Sequence, residues 1–195
     1  MKAPWSQDAF AEAFRFAAEA HNACAQMVPG TDLPYLLHVG LVAQEVMAAL
    51  AAEPGNEGDL AVRCACLHDT IEDTAVTYDG VVAVFGAAVA DGVLALSKSD
   101  DAAAGCHDKT ERKRLMMEDS LARIRRQPSA VWMVKLADRI ANLAPPPRHW
   151  PADKRRRYQG EARLILKALG EASPFLAKRL AAKIETYEAH IDAGA

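Results

Sequence analysis

The sequence predicts an all-α bundle, and three observations carry that expectation. Apolar residues recur in segments of helical length, separated by breakers at Pro29-Gly30, Pro54-Gly55, Gly105, Pro128, Pro145-Pro146-Pro147 and Pro174. The one run with strand character, Val81-Val82-Ala83-Val84, has no partner of alternating pattern, which argues against a sheet. Finally, 195 residues at 51% hydrophobic and 25% charged suffice for one ordinary globular core, so a single domain over residues 1–195 is expected.

The elements follow in order. A first helix is expected over 7–26, ending ahead of Pro29-Gly30. The second, over 35–52, is opened by Pro34, is amphipathic, and carries His38 in its first turn. The third, over 58–73, begins with the almost wholly apolar run Leu60 to Leu67 and ends in His68-Asp69 and Glu72-Asp73. The fourth, over 78–97, has a break marked by Phe85-Gly86, and Pro128 separates helices over 109–126 and 129–143. The last two, over 152–170 and 174–192, follow the triple proline and Pro174, and no internal repeat is present.

The stretch His68-Asp69-Thr70-Ile71-Glu72-Asp73 carries the most chemistry. At about 100° per residue, positions 68, 69, 72 and 73 are expected on one side of a continuous helix. Ionised carboxylates at the end of a buried helix are costly unless they are paired or bound to a metal. Imidazole nitrogen with carboxylate oxygen suits borderline and hard divalent cations. A solvated acidic turn, with His68 as the last covered residue, is the structural alternative. His38 taken alone reads as a packed core histidine. Asp138 interrupts an otherwise apolar run, Val134 to Leu143, and shares a helix face with Asn142 four residues on.

Charge is unevenly spread. Residues 1–100 hold 4 Lys/Arg against 14 Asp/Glu and residues 101–195 hold 19 against 12, so the halves carry −10 and +7 within a net of −3. The basic excess sits in Glu111-Arg112-Lys113-Arg114, Arg123 to Arg126 and Lys154 to Arg157, where it forms either solvated helix faces or an electropositive rim for a polyphosphate. An acidic chain without a reader motif is not expected to bind nucleic acid. No stretch of signal-peptide type opens the chain and no window is apolar enough to span a bilayer, so a cytoplasmic protein without membrane contact is expected. Cys24, Cys64, Cys66 and Cys106 lack zinc-site spacing and read as reduced thiols, with Cys64 and Cys66 in the core and Cys106 exposed. Trp5 and Trp132 read as packing.

Three segments, Pro34-Tyr35-x-x-His38, Leu67-His68-Asp69-x-x-Glu72-Asp73-Thr74 and Lys135-Leu136-Ala137-Asp138-Arg139-x-x-Asn142, together resemble the signature of the RelA/SpoT-type HD hydrolases, which degrade the alarmone ppGpp. Glu111 to Arg114 and the run from Trp150 through Lys154 and Tyr158 to Leu169 resemble the single-domain branch, the small alarmone hydrolases that include the metazoan SpoT homologue. The resemblance spans roughly residues 12 to 190 and implies an HD-domain helical bundle.

It further implies that His38, His68, Asp69 and Asp138 ligate one divalent metal, usually Mn2+ in this family, and the ligand set also admits Fe2+ or Zn2+. Glu72 and Asp73 match the family's acidic pair, which orients or deprotonates water and manages the leaving group's proton. Asn142 matches a contact to the nucleotide sugar, and Tyr158 matches a tyrosine lining the nucleotide pocket, although a tyrosine on an amphipathic helix also serves as packing. Lys98, Arg112 and Lys154 are candidates for gripping diphosphates by charge-assisted hydrogen bonds. The implied substrate is a small nucleotide, and the implied reaction is metal-assisted hydrolysis of the 3′-diphosphate of ppGpp, pppGpp or ppApp, releasing pyrophosphate.

Two departures bear on specificity. The family usually has a basic stretch after the first helix, with an arginine that stacks on guanine, whereas His21 to Val28 holds no Lys or Arg. Base recognition is therefore expected to differ, and adenine, as in ppApp, becomes a candidate. Pro145-Pro146-Pro147 stands where the family tends to have Arg-Thr, so a backbone donor and a hydroxyl are lost. Rival readings are an HD-type phosphatase or nucleotidase acting on NADPH or nucleoside monophosphates, and a non-catalytic nucleotide-binding module. The intact Glu72-Asp73 pair argues against the latter. Nothing in the sequence sets an oligomeric state.

Overall fold

The structure is a computed structural model that describes residues 4–191 apart from 54, 56 and 148. Residues 1–3 of the leader reading, Pro54 of one breaker and the last position of the 174–192 helix lie outside the described residues. The helices are α1 Gln7–Ala23, α2 Leu36–Ala52, α3 Gly58–Leu67, α4 Thr70–Asp73, α5 Tyr78–Phe85, α6 Ala87–Leu96, α7 Lys109–Arg125, α8 Ser129–Asn142, α9 Ala152–Leu169 and α10 Pro174–Tyr187. Short 3-10 turns follow at Asp101–Ala103, Gly170–Ala172 and Glu188–His190. Among the described residues the extended pairing is limited to an isolated bridge between Met27 and Pro34. None of these helices is long and apolar enough to cross a membrane.

Helix α3 is the centre of the bundle, packed on α1, α2, α6 and α8. Its inward residues are small, with Ala61, Cys64, Ala65 and Cys66 fully covered, so neighbouring helices approach closely. Gly92 on α6 shows how closely: a Cβ there would stand 2.7 Å from Cys64 Sγ and 3.0 Å from Val131 Cγ2. The α5–α6 break falls where Phe85-Gly86 predicts it, at Gly86 in the left-handed region with φ 84°. Helix α10 is tied back to α2 by Glu53, whose carboxylate accepts from Ser173 Oγ at 2.5 Å and Phe175 N at 2.6 Å, and by the Glu45–Arg179 ion pair.

The 58–73 segment departs from expectation. It is not one helix: α3 stops at Leu67, and the short α4 restarts at Thr70. Side chains at the junction take the carbonyls that a continuing helix would use. His68 Nδ1 donates to Ala65 O at 2.9 Å and Thr70 Oγ1 to Leu67 O at 2.7 Å. The turn carries His68 and Asp69 into the bundle while α4 presents Glu72 and Asp73 beside them, so the four groups share a site without sharing a helix face.

Candidate active site

His38 projects from the first turn of α2, His68 and Asp69 from the turn after α3, and Asp138 from the middle of α8. His38, His68 and Asp138 are buried, and Asp69 is half-buried. His38 Nε2 lies 3.3 Å from His68 Nε2, 3.7 Å from Asp69 Oδ2 and 3.5 Å from Asp138 Oδ1, and His68 Nε2 lies 2.9 Å from Asp69 Oδ2. Ligands at about 2.1 Å from one cation and at right angles to one another stand about 3 Å apart. The separations among His38, His68 and Asp69 are of that size and make these three a compact donor group for a divalent metal, while Asp138 meets the group through His38. Because the Ala65 carbonyl can only accept, the proton of neutral His68 sits on Nδ1, which leaves the Nε2 lone pair facing the centre.

The surroundings fix the charges. Burial opposes ionisation of Asp138, but the Lys135 ammonium, 3.1 Å from Oδ2, and the imidazoles of His38 and His68 hold its carboxyl well below the usual range. Asp69 is likewise held low despite burial, by His68 and by a hydroxyl hydrogen bond from Tyr35 at 2.5 Å. Burial works against charge on His68, yet Asp69, Asp138 and the Ala65 carbonyl outweigh it and push its pKa up to about 9. Burial and the Asp69 carboxylate push the Tyr35 hydroxyl up, so it stays a proton donor.

A cavity of about 330 Å³ opens over this centre. Its lining holds the acids Asp69, Glu72 and Asp73 and the cations Lys98, Lys113, Lys135 and Arg139, together with Met116, Met117 and Ser120 of α7. Glu72 is gripped by Lys98 through the backbone N–H at 2.8 Å and through the ammonium. Asp73 Oδ2 accepts from the side-chain amide of Gln26 at 2.8 Å. Asn142 and Tyr158 line this cavity, Asn142 donating to Asp138 Oδ1 at 2.5 Å and Tyr158 lying under the Arg139 guanidinium at 4.3 Å. Both also line a second cavity of about 360 Å³, walled by Leu37, Leu41, Pro145 to Pro147 and Trp150 and touching His38.

Not every sequence-derived candidate reaches the cavity. Lys98 does. Arg112 pairs with Asp100 at 2.9 Å and the Ala103 carbonyl at 3.4 Å and is absent from the lining; Lys154 lies 3.7 Å over the Trp150 ring, also off the lining. Lys113 and Lys135 stand in the wall instead; the sequence placed Lys113 in a basic cluster offered as an electropositive rim and Lys135 in a signature segment, without singling out either as a substrate contact. Lys113 is the neighbour of Arg112, so only the phase of α7 separates them, whereas Lys135 was legible as the residue one turn before Asp138 on the same face. Tyr35, which holds Asp69, stands in the Pro34-Tyr35-x-x-His38 segment but was given no role there, and Gln26, which holds Asp73, had no local signal. The cysteines are free; Cys64 and Cys66 are buried as expected, and Cys106 is half-buried rather than exposed. Trp5 and Trp132 pack against the core.

Histidine and aspartate donors converge from separate segments of an all-α bundle into a candidate metal centre. The HD domain family model matches residues 13–173. The chain is 31% identical to the guanosine-3′,5′-bis(diphosphate) 3′-pyrophosphohydrolase MESH1 of Xenopus tropicalis, over 87% of this chain and 89% of that protein. It is 35% identical to the Homo sapiens MESH1, over 81% and 83%. A solved structure described as a metazoan ortholog of SpoT that hydrolyzes ppGpp superposes with a TM-score of 0.72 at 24% identity, covering 93% of this chain and 96% of the other, and so shares the fold. At this identity and coverage the chain belongs to the MESH1 family of HD-domain proteins.

Proposed function

We propose that this chain hydrolyses the 3′-diphosphate of a purine alarmone, ppGpp, pppGpp or ppApp, to release pyrophosphate, using one divalent cation, Mn2+ in the first instance. The observation that carries the reading is the juxtaposition across one cavity of the His38, His68, Asp69, Asp138 set, the Glu72-Asp73 pair and the lysines at 98, 113 and 135. When bound, the cation supplies Lewis-acid polarisation of the phosphoryl group and acidifies water. The water oxygen bonds to the phosphorus carried by the 3′-oxygen, the 3′-O–P bond breaks, and the 3′-oxygen gains a proton. Asp73 has one oxygen free of hydrogen bonds among the described residues and accepts the water's proton. Glu72, paired to Lys98, serves the leaving oxygen, and Lys98, Lys113 and Lys135 balance the diphosphate charge.

The nucleoside occupies the second cavity, which meets the first at Asn142 and Tyr158 and also touches His38. Asn142 is placed for the ribose. The base rests on Trp150, Leu37, Leu41 and the prolines, where no Lys, Arg, Asp or Glu among the described residues reads its edge. The faces of Leu37, Leu41, Trp150 and the prolines suit either purine ring. On this reading the protein is a single-domain cytoplasmic enzyme of small nucleotides. The test is product analysis of Mn2+-loaded protein on ppGpp, ppApp and NADPH. Pyrophosphate from the first two supports the proposal; inorganic phosphate from NADPH or nucleoside monophosphates, with no pyrophosphate from either alarmone, overturns it.

A further inference from the structure

The end of α1 is wound so as to deliver one side chain to the acidic pair. Ala25 adopts a left-handed φ of 49°, a conformation unusual for a residue with a Cβ. The chain turns back there: Ala25 N donates to Asn22 O at 3.0 Å and Gln26 N to His21 O at 3.1 Å, the paired bonds of a Schellman cap. Tyr35 N then donates to Gln26 O at 3.0 Å, and the Met27–Pro34 bridge closes the loop behind it. With the backbone of Gln26 fixed on both sides, its side chain spans His21 and Asp73. His21 Nδ1 stands 2.6 Å from Gln26 Oε1, and Gln26 Nε2 stands 2.8 Å from Asp73 Oδ2.

Only one arrangement of protons satisfies both ends. A carboxylate only accepts, so the amide NH2 faces Asp73; the amide oxygen therefore faces His21, whose Nδ1 carries the hydrogen. His21 is 2% exposed, its Nε2 has no partner among the described residues, and burial holds its pKa below the usual value, consistent with a neutral ring of that tautomer. The imidazole lies 5.0 Å from the Tyr35 ring, so the same wall steadies the hydroxyl that binds Asp69.

From this geometry we propose that Gln26, fixed by His21, is a positioning residue for hydrolysis: it occupies Oδ2 of Asp73 and leaves Oδ1 as the oxygen that faces the cavity and takes the proton. The inference rests on the role given to Asp73 above. Glu72 is held by a lysine that can also reach a phosphate, whereas Asp73 is held by a neutral amide with no other task. The two acids are thereby differentiated by their partners.

The experiment is a double-mutant cycle on metal-loaded protein, run on whichever phosphoester the wild type turns over. Gln26→Leu is expected to lower kcat about tenfold with KM changed less than about twofold, the scale of losing an outer partner of a catalytic group. On an Asp73→Asn background the same change is expected to cost no more than about twofold, because its route of action is gone. Gln26→Glu keeps the shape and places a second carboxylate against Asp73, so the acidic limb of the kcat profile moves to higher pH. Independent losses that multiply, or a Gln26→Glu profile superimposable on wild type, would overturn the proposal. Should Gln26→Leu fail to fold, Gln26→Glu decides alone. A 15N spectrum separates this from the substrate reading: the Gln26 side-chain amide resonances shift in Asp73→Asn whether or not alarmones are hydrolysed, and unmoved resonances refute the contact itself.

Discussion

The floor of the cavity and its rim are built on different principles. On the floor, His38, His68, Asp69 and Asp138 sit at helix ends or mid-helix within apolar packing, and three of the four are aimed by a neighbour: His68 by Ala65 O, Asp69 by Tyr35, Asp138 by Lys135 and Asn142. On the rim, Lys98, Arg112 and Lys154 are long cations near solvent, and each has found a different partner in Glu72, Asp100 or the Trp150 ring. Buried polar groups have few ways to be satisfied and keep a single geometry. Exposed ion pairs are worth little, so rim geometry is set by small energies and is open to rearrangement on binding a polyphosphate.

That contrast is broken most severely at the floor. His68→Ala or Asp138→Ala is expected to abolish metal binding and to lower turnover by about a thousandfold or more, since a cation supplies several kcal/mol to the transition state. Metal analysis alongside kcat checks this, and full activity without bound metal would refute it. Asp73→Asn and Glu72→Gln are expected to cost about 10²- to 10⁴-fold in kcat while the bound metal is retained. Loss of the metal in either would move those acids from the wall to the floor.

The raised pKa of His68 gives the floor a pH signature of two opposite signs. A cation must displace the His68 proton, so apparent metal affinity rises roughly tenfold per pH unit below about 9 and levels off above. The metal-free protein behaves in reverse: the protonated imidazole between two carboxylates stabilises it fully below about 6.5, and that contribution is lost as pH rises through 9. Titration calorimetry and thermal melts over this window measure both. Two curves that run in parallel would contradict the assignment.

At the rim the effects are smaller and fall on KM. Lys98→Met and Lys113→Met are expected to raise KM for a nucleotide 3′-diphosphate about tenfold, diminishing at high salt, whereas Arg112→Met and Lys154→Met change it by about threefold or less. A larger effect at Arg112 would show that the rim closes on substrate by breaking the Asp100 pair. The smallest effect is on stability: Ala25→Gly relieves the left-handed position and raises the melting temperature by a few degrees, worth about 0.5–1 kcal/mol.

Legibility in the sequence follows the same divide. The helices could be read because Gly and Pro punctuate apolar segments, and the floor residues because charge inside an apolar run, as at Asp138 and His68-Asp69, has few explanations. The break after Leu67 escaped because it depends on side chains of His68 and Thr70 competing for backbone carbonyls, which periodicity does not register. Lys113 was hidden by adjacency, since a turn of about 100° in helix phase decides whether it or Arg112 faces the cavity. Gln26 and Tyr35 were hidden by sequence separation, each acting on an acid 47 and 34 positions away.

The proposed chemistry requires four side chains sharing one cation. Anomalous diffraction from crystals grown with Mn2+ tests it most directly: one peak per chain is expected, within about 2.0–2.2 Å of His38 Nε2, His68 Nε2 and an oxygen each of Asp69 and Asp138. A peak coordinated elsewhere, or no peak while pyrophosphate is still released, would contradict it.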